Sequence, residues 1–237
     1  MTAAPPPDPQ AATMRLPIGG TSLQCRIADA AIELFYNQGA TATSVRDITA
    51  ACGLTPGALY NHFSSKEQLL YVLIRDVHLM ADQGLQAAIA GAGDQPAAQL
   101  AAAVRFMVWR SAGPRKQSQV ANREYTRLPK ARSDEIKAIR RGMRARFADI
   151  LLAGSQSGEF VLPASQDQMA AALTATAIAT LCANISEWTR DNYPSSLPDL
   201  QNRYVEMALR LAGAPRQRVS SRRTPPETSG PSVPPGQ

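Results

Sequence analysis

The chain is poor in aromatic residues, which make up 5% of its 237 positions, and in histidine, of which it has two, His62 and His78. Valine and isoleucine are also sparse, so a large β-sheet is not expected. The three cysteines, Cys25, Cys52 and Cys182, are far apart and odd in number. That excludes a disulfide scaffold and a cysteine-rich zinc site, and it fits reduced thiols in a cytoplasmic protein. No apolar run approaches the roughly 20 residues needed to cross a bilayer. The opening stretch has neither a basic segment nor an apolar one, so no signal peptide is expected there. The two histidines fall into no Ser/His/Asp order and no metal-spaced cluster, and no glycine-rich phosphate loop follows a strand. Catalysis is therefore not expected, nor is a cofactor or metal.

What is abundant is alanine, a helix former, and a basic excess that is unevenly placed. The net charge is +6, but residues 1–75 carry five basic and five acidic side chains and balance. Residues 105–146 carry thirteen basic against three acidic, a net of +10, and the tail 213–237 carries four arginines against one glutamate. Eleven of the eighteen prolines fall in residues 1–20 and 213–237. Lacking apolar periodicity as well, these ends are expected to be disordered arms around a folded part at about 21–212.

Inside that part the pattern is helical throughout. Ile27, Ala30, Ala31, Leu34 and Phe35 mark one buried face of a first helix, capped by Thr21 or Ser22 and stopped at Gly39. Thr43 or Ser44 caps a short second helix with Val45, Ile48 and Ala51 inward, and Gly53 turns the chain. Thr55 caps a very short third helix, with Pro56 at its first position, where a missing N–H is harmless. A long fourth helix starts near Ser65. Helix, glycine turn and short helix with small residues at its start form the helix-turn-helix plan. Gly57 and Ala58 would let the backbone come close to base edges in a major groove.

Further helices are read from Pro96 to Trp109, Gln117 to Leu128 and Ala131 to about Ser157, the last closed by Gly154, Gly158 and Pro163. The final two are read from Gln166 to Arg190 and Leu197 to Leu211. The 166–190 segment is apolar over much of its surface, as suits an element buried on two sides.

From Ala31 to Leu70 the sequence runs A-x-x-L-F-x-x-x-G-A-x-A-T-S-V-R-D-I-T-A-A-C-G-L-T-P-G-A-L-Y-N-H-F-S-S-K-E-x-L-L. This run, above all G-x-L-Y-x-H-F-x-S-K-E-x-L from Gly57 to Leu69, resembles the DNA-binding domain of the TetR/AcrR family of bacterial transcriptional regulators. The resemblance implies an all-α homodimer: a helix-turn-helix domain at 21–81, with its motif at 44–63, and a helical ligand-binding and dimerisation domain at 82–212. Dimerisation would use the last two helices, and double-stranded, palindromic operator DNA would be the partner. The resemblance places the DNA contacts at Thr43, Ser44, Arg46, Thr55, Pro56, Gly57, Tyr60, Asn61, His62 and Lys66. Leu59 and Phe63 fall on the opposite side, in the core. Because this domain is neutral, few cations face phosphates and the salt dependence of binding is expected to be shallow.

The +10 segment has two readings. It is a solvated or internally paired basic surface, or it serves an anionic effector. Arg123 to Arg132 (R-E-Y-T-R-L-P-K-A-R), with R-x-x-F-x-x-I-L at 144–151 and G-E-F at 158–160, resembles regulators that respond to acyl-CoA thioesters. On that resemblance, Trp109, Arg123, Tyr125, Arg127, Arg140, Met143, Trp188 and Arg190 are the candidate effector contacts. Arginine forks would suit phosphates, and apolar side chains an acyl chain. The alternatives are a regulator of an uncharged or cationic drug-like ligand, and a helical scaffold or membrane-surface protein using its basic face.

Overall fold

A computed structural model describes residues 21–162, 167–189 and 195–215. The protein is all-α, as expected. Among the described residues there are nine α-helices: α1 Ser22–Ala42, α2 Val45–Ala51, α3 Pro56–Tyr60, α4 Lys66–Ala90, α5 Pro96–Ala112, α6 Arg115–Glu124, α7 Lys130–Ser157, α8 Asp167–Trp188 and α9 Leu197–Leu211. A 3-10 turn, Tyr125–Arg127, joins α6 to α7.

Local chemistry sets most of the boundaries. Thr21 and Gln24 form a reciprocal capping box at the start of α1, as do Ser44 and Asp47 at α2. Ser65 accepts from the Gln68 amide to open α4, and Ser196 accepts from Asp199 to open α9. Gly39 breaks α1 with φ 82° and ψ 155°, beyond which a last turn reaches Ala42. Thr55 precedes α3 without a side-chain cap bond, contrary to expectation, and Pro56 supplies the helical φ at the first position.

Three other expectations need correction. Ala51 is exposed, and Cys52 takes the inward place at the end of α2. Gly154 does not end α7: it lies inside the helix, where the Phe160 ring stands 2.1 Å from the place of a Cβ and leaves room for glycine alone, and the stop comes at left-handed Gly158. The ordered chain also passes residue 213. The Ala214 amide donates to the Leu209 carbonyl at 2.9 Å, and Ala214 packs against the carboxy-terminal core. The remainder of the two expected arms, 1–20 and 216–237, lies outside the described residues.

The buried side chains fall into two clusters. One joins Ile27, Phe35, Ile48, Leu59, Leu69 and Leu73 of α1–α4 to Val120 and Ala121 of α6 and Ile136 of α7. The other joins Leu85 of α4 to Leu100, Phe147, Ile178, Ile185 and Tyr204 of α5 and α7–α9. Burying each such side chain contributes about 1.5–3 kcal/mol. The first four helices therefore do not close on themselves; α6 and α7 complete their core. α4 belongs to both clusters and ties them together.

α8 corrects the reading of the apolar runs. By length and composition alone, residues 168–188 could cross a membrane, and less than half of that stretch is buried. One side, with Ala171, Ala175, Ile178 and Ile185, enters the core. The other presents Met169 (58% exposed), Leu173 (64%), Leu181 and Trp188. Met207 and Leu211 of α9 are also exposed.

Candidate functional site

The first site is built by α2, the turn at Gly53 and α3. Leu59 is fully buried and Phe63 nearly so, as expected. Anchored on that side, α3 turns Pro56, Gly57 and Tyr60 outward, with Asn61 just beyond it; Tyr60 is 54% exposed. His62 is half-buried, and Ser44, Arg46 and Thr55 are exposed. Arg46 does not pair with Asp47, because Asp47 accepts from the Ser44 amide at 2.7 Å. That bond and the Ser44 hydroxyl hold the Asp47 carboxyl below its ordinary pKa.

Two of the expected contacts are spent inside the protein. Thr43 is 1% exposed, and its hydroxyl donates to the Gly39 carbonyl at 2.8 Å. Lys66 does not stand free at the start of α4. Its Nζ donates to the Ala40 and Thr43 carbonyls, both at 2.6 Å. Carbonyls at a helix end lack intrahelical partners, and a cation there also meets the negative end of the helix dipole. Lys66 thus closes the corner between α1 and α2. Arg26 does the same for α2, donating to the Cys52 carbonyl at 2.8 Å. Arg75 pairs with Glu135 of α7 at 2.7 Å. This region's lack of net charge is therefore matched by cations that are mostly occupied.

The second site is a cavity of about 260 Å³ among α4, α5, α6, α7 and α8. Of the residues predicted to contact an effector, Tyr125, Arg140 and Met143 line it. The others do not. Trp109 packs on Phe106, with ring centroids 5.8 Å apart. Arg123 pairs with Glu187 at the rim, and Arg127 with Glu124. Trp188 is 42% exposed, and Arg190 lies outside the described residues. The side chains missed are His78 and Arg110, both in the lining. Each occupies a core-facing place on an amphipathic helix, His78 four residues after Ile74 and Arg110 three after Met107. A polar residue in an apolar stripe was the available signal.

Burial dominates the chemistry here. It lowers the His78 pKa to about 4, with Arg140 and Arg110 acting in the same direction. The ring is neutral, and its Nδ1 lies 2.8 Å from the Ile74 carbonyl, which requires Nδ1–H as donor. Nε2 is then free to accept from Arg140 Nη1 at 3.2 Å. Arg140 also donates to Asn122 Oδ1 at 2.8 Å, and its guanidinium stacks over Tyr125, 5.0 Å from the ring centroid. Burial lowers the Arg110 pKa to about 10, which still leaves it charged at neutral pH. Its Nη1 donates to Ser118 Oγ at 2.7 Å and its Nη2 to the Val77 carbonyl at 3.3 Å. Its Nε has no hydrogen-bond partner among the described residues. No group of three or more metal-ligating side chains occurs among the described residues.

Sequence and structure comparisons agree with this layout. Residues 27–72 match the family model for bacterial regulatory proteins of the tetR family, and residues 93–212 match that for the tetracyclin repressor-like C-terminal domain. A bacterial regulatory protein in the tetR family from Rhodococcus RHA1 superposes with a TM-score of 0.72 at 31% identity, covering 83% of this chain and all of that one. AibR, solved with isovaleryl coenzyme A and operator DNA, has a TM-score of 0.69 at 20% identity over 81% of this chain and all of its own. The HTH-type transcriptional repressor KstR2 of Rhodococcus jostii is 40% identical over 57 residues, which are 24% of this chain and 28% of that protein. The similarity to this curated relative thus spans well under half of its length.

Proposed function

Because the chain belongs to the tetR family of bacterial regulatory proteins, we propose that it is a ligand-responsive repressor released from its operator by a small effector. The observation that carries this reading is the course of α4. Its first half shares one buried cluster with Ile48 of α2 and Leu59 of α3, while Val77, His78 and Ala81, farther along, line the cavity. A ligand that favours one arrangement of the cavity would shift α4, and with it the spacing of the two α3 helices in a dimer.

In this proposal Tyr60 and Asn61 read the groove. Pro56 and Gly57 let the backbone approach it, and Ser44, Arg46, Thr55 and His62 meet phosphates. The apolar outer face of α8, with Met207 and Leu211 of α9, packs on a second copy. The same face answers the composition of α8, since a partner helix covers it as well as a bilayer would. Residues 21–81 are taken as the DNA-binding domain and 82–212 as the regulatory one, in a cytoplasmic protein.

For the effector, an acyl-CoA thioester is supported by the basic 105–146 segment and by the isovaleryl coenzyme A in AibR. The cavity, at about 260 Å³, is slightly below the usual ~300–1,000 Å³ of ligand pockets. It would take a short acyl group and leave the nucleotide outside. A drug-like cation is disfavoured by Arg110 and Arg140 in the lining. Gel-shift and thermal-shift titration with CoA thioesters, free acids and uncharged drugs tests the choice. Release of DNA by free acids or drugs but not by thioesters rejects the thioester class. A basic scaffold on a membrane surface would instead bind anionic liposomes and show no ligand-sensitive DNA binding.

A further inference from the structure

We propose that the cavity holds a seat for a carboxylate, formed by Arg110 and Arg140, and that filling it loosens both arginines from α4. This rests on the regulator reading above and names the chemistry that its effector presents at the buried end.

Several arginines of this region find acids. Arg146 pairs with Asp82, Arg132 with Glu67, Arg75 with Glu135 and Arg123 with Glu187. Arg110 and Arg140 form no ion pair within 4 Å among the described residues. They are also the arginines for which burial is the leading influence on the pKa. A buried guanidinium without a counter-charge is costly, which holds most for Arg110, since Arg140 is half-buried. Among the described residues the partners of both are neutral: a hydroxyl, a carbonyl, an amide and an imidazole. Glu187, also in the lining, pairs with Arg123 and comes within 4 Å of neither arginine.

Geometry adds direction. A carboxylate binds a guanidinium side-on through two parallel N–H groups. On Arg110 the edge with unmet bonding is Nε, which is covered and has no partner, with Nη2, whose bond to Val77 is long at 3.3 Å, so the side chain must turn to present it. Engaging that edge gives up the Val77 contact. Drawing Arg140 toward the same anion gives up its 3.2 Å contact with His78. Val77 and His78 are neighbours on α4, so one ligand group would loosen two tethers of the helix that joins the cores. The apolar part of the wall, with Ala81, Met107, Met143 and Phe147, suits a short hydrocarbon body.

The carboxylate could be that of a free acid or the far end of a dicarboxylic acid bound as its monothioester. The probes separate these sources. Calorimetric titration of the full chain would compare isovalerate with isovaleramide, benzoate with benzamide, and glutaryl-CoA with isovaleryl-CoA. The seat predicts that in at least one pair the carboxylate binds tenfold or more tightly than its partner. It also predicts that Arg110→Met and Arg140→Met each cut that preference to below threefold, while Arg110→Lys, which keeps the charge, retains part of it. Circular dichroism checks that each variant folds. No preference in any pair, or a preference intact in both methionine variants, overturns the seat. Operator capture by the ligand-free chain is scored separately. DNA release by amides or by isovaleryl-CoA alone keeps the regulator reading and removes the seat. Carboxylate selectivity without operator binding does the reverse.

Discussion

The start and the middle of α4 use cations in opposite ways. Near its start, Lys66 and Arg26 are turned onto backbone carbonyls, where they close helix ends and fix the corner that presents α3. Near its middle, Arg110, buried, and Arg140, half-buried, stand beside a cavity with only neutral partners among the described residues. One region uses charge to make itself rigid, while the other holds charge that a ligand can answer. A DNA reader built in the first way depends on shape and on the spacing of two copies more than on bulk attraction to phosphate.

Breaking the dimer should have the largest effect. Leu173→Glu places a carboxylate on the outer face of α8, and burying it unpaired costs about 3 kcal/mol or more. Size-exclusion chromatography should then show a monomer, and operator affinity should fall by roughly 100-fold. A monomer that keeps its affinity would mean that spacing is not what reads the site.

Acid should affect the cavity before the reader. The folded pKa of His78 is about 4 against about 6.5 for the free side chain, so the native state favours the neutral ring. Its contribution is complete above pH 6.5 and is lost as the pH falls toward 4. Between pH 7 and 5 this one group should remove about 2 kcal/mol of stability. Urea midpoints at the two pH values measure it, and His78→Asn should flatten the dependence. An unchanged dependence in that variant would assign the acid sensitivity elsewhere.

Lys66→Met separates a brace from a phosphate contact. Removing the ammonium leaves the Ala40 and Thr43 carbonyls without it and should cost about 1–3 kcal/mol in urea denaturation. Lost DNA affinity at full stability would contradict the brace. The smallest effect expected is in salt titration of operator binding. Each neutralised phosphate contributes about −0.9 to the slope of log K against log salt. With few free cations on α2 and α3, the slope should be shallower than about −5.

How much of this was legible depends on how local the cause is. Capping pairs such as Ser44 with Asp47, Pro56 at the start of α3, and the inward Leu59 and Phe63 follow from neighbours in sequence and could be read there. The sequence run from Gly57 to Leu69 also carried the family resemblance. What could not be read depends on partners 20 to 100 positions away. The contact of Lys66 with Ala40 and the pairing of Arg123 with Glu187 are of this kind. The +10 segment illustrates the same limit. Counting charges located the cations, but only packing separated Arg146, paired with Asp82, from Arg110, paired with no acid.

The most direct test of a reader that works by geometry is capture and sequencing of genomic DNA fragments by the full chain at physiological salt. The prediction is a small set of retained sites with two-fold related halves, centred about 10 base pairs apart or a multiple of it. Fragments retained without a shared sequence, and released together by modest salt, would show binding by bulk charge and contradict it.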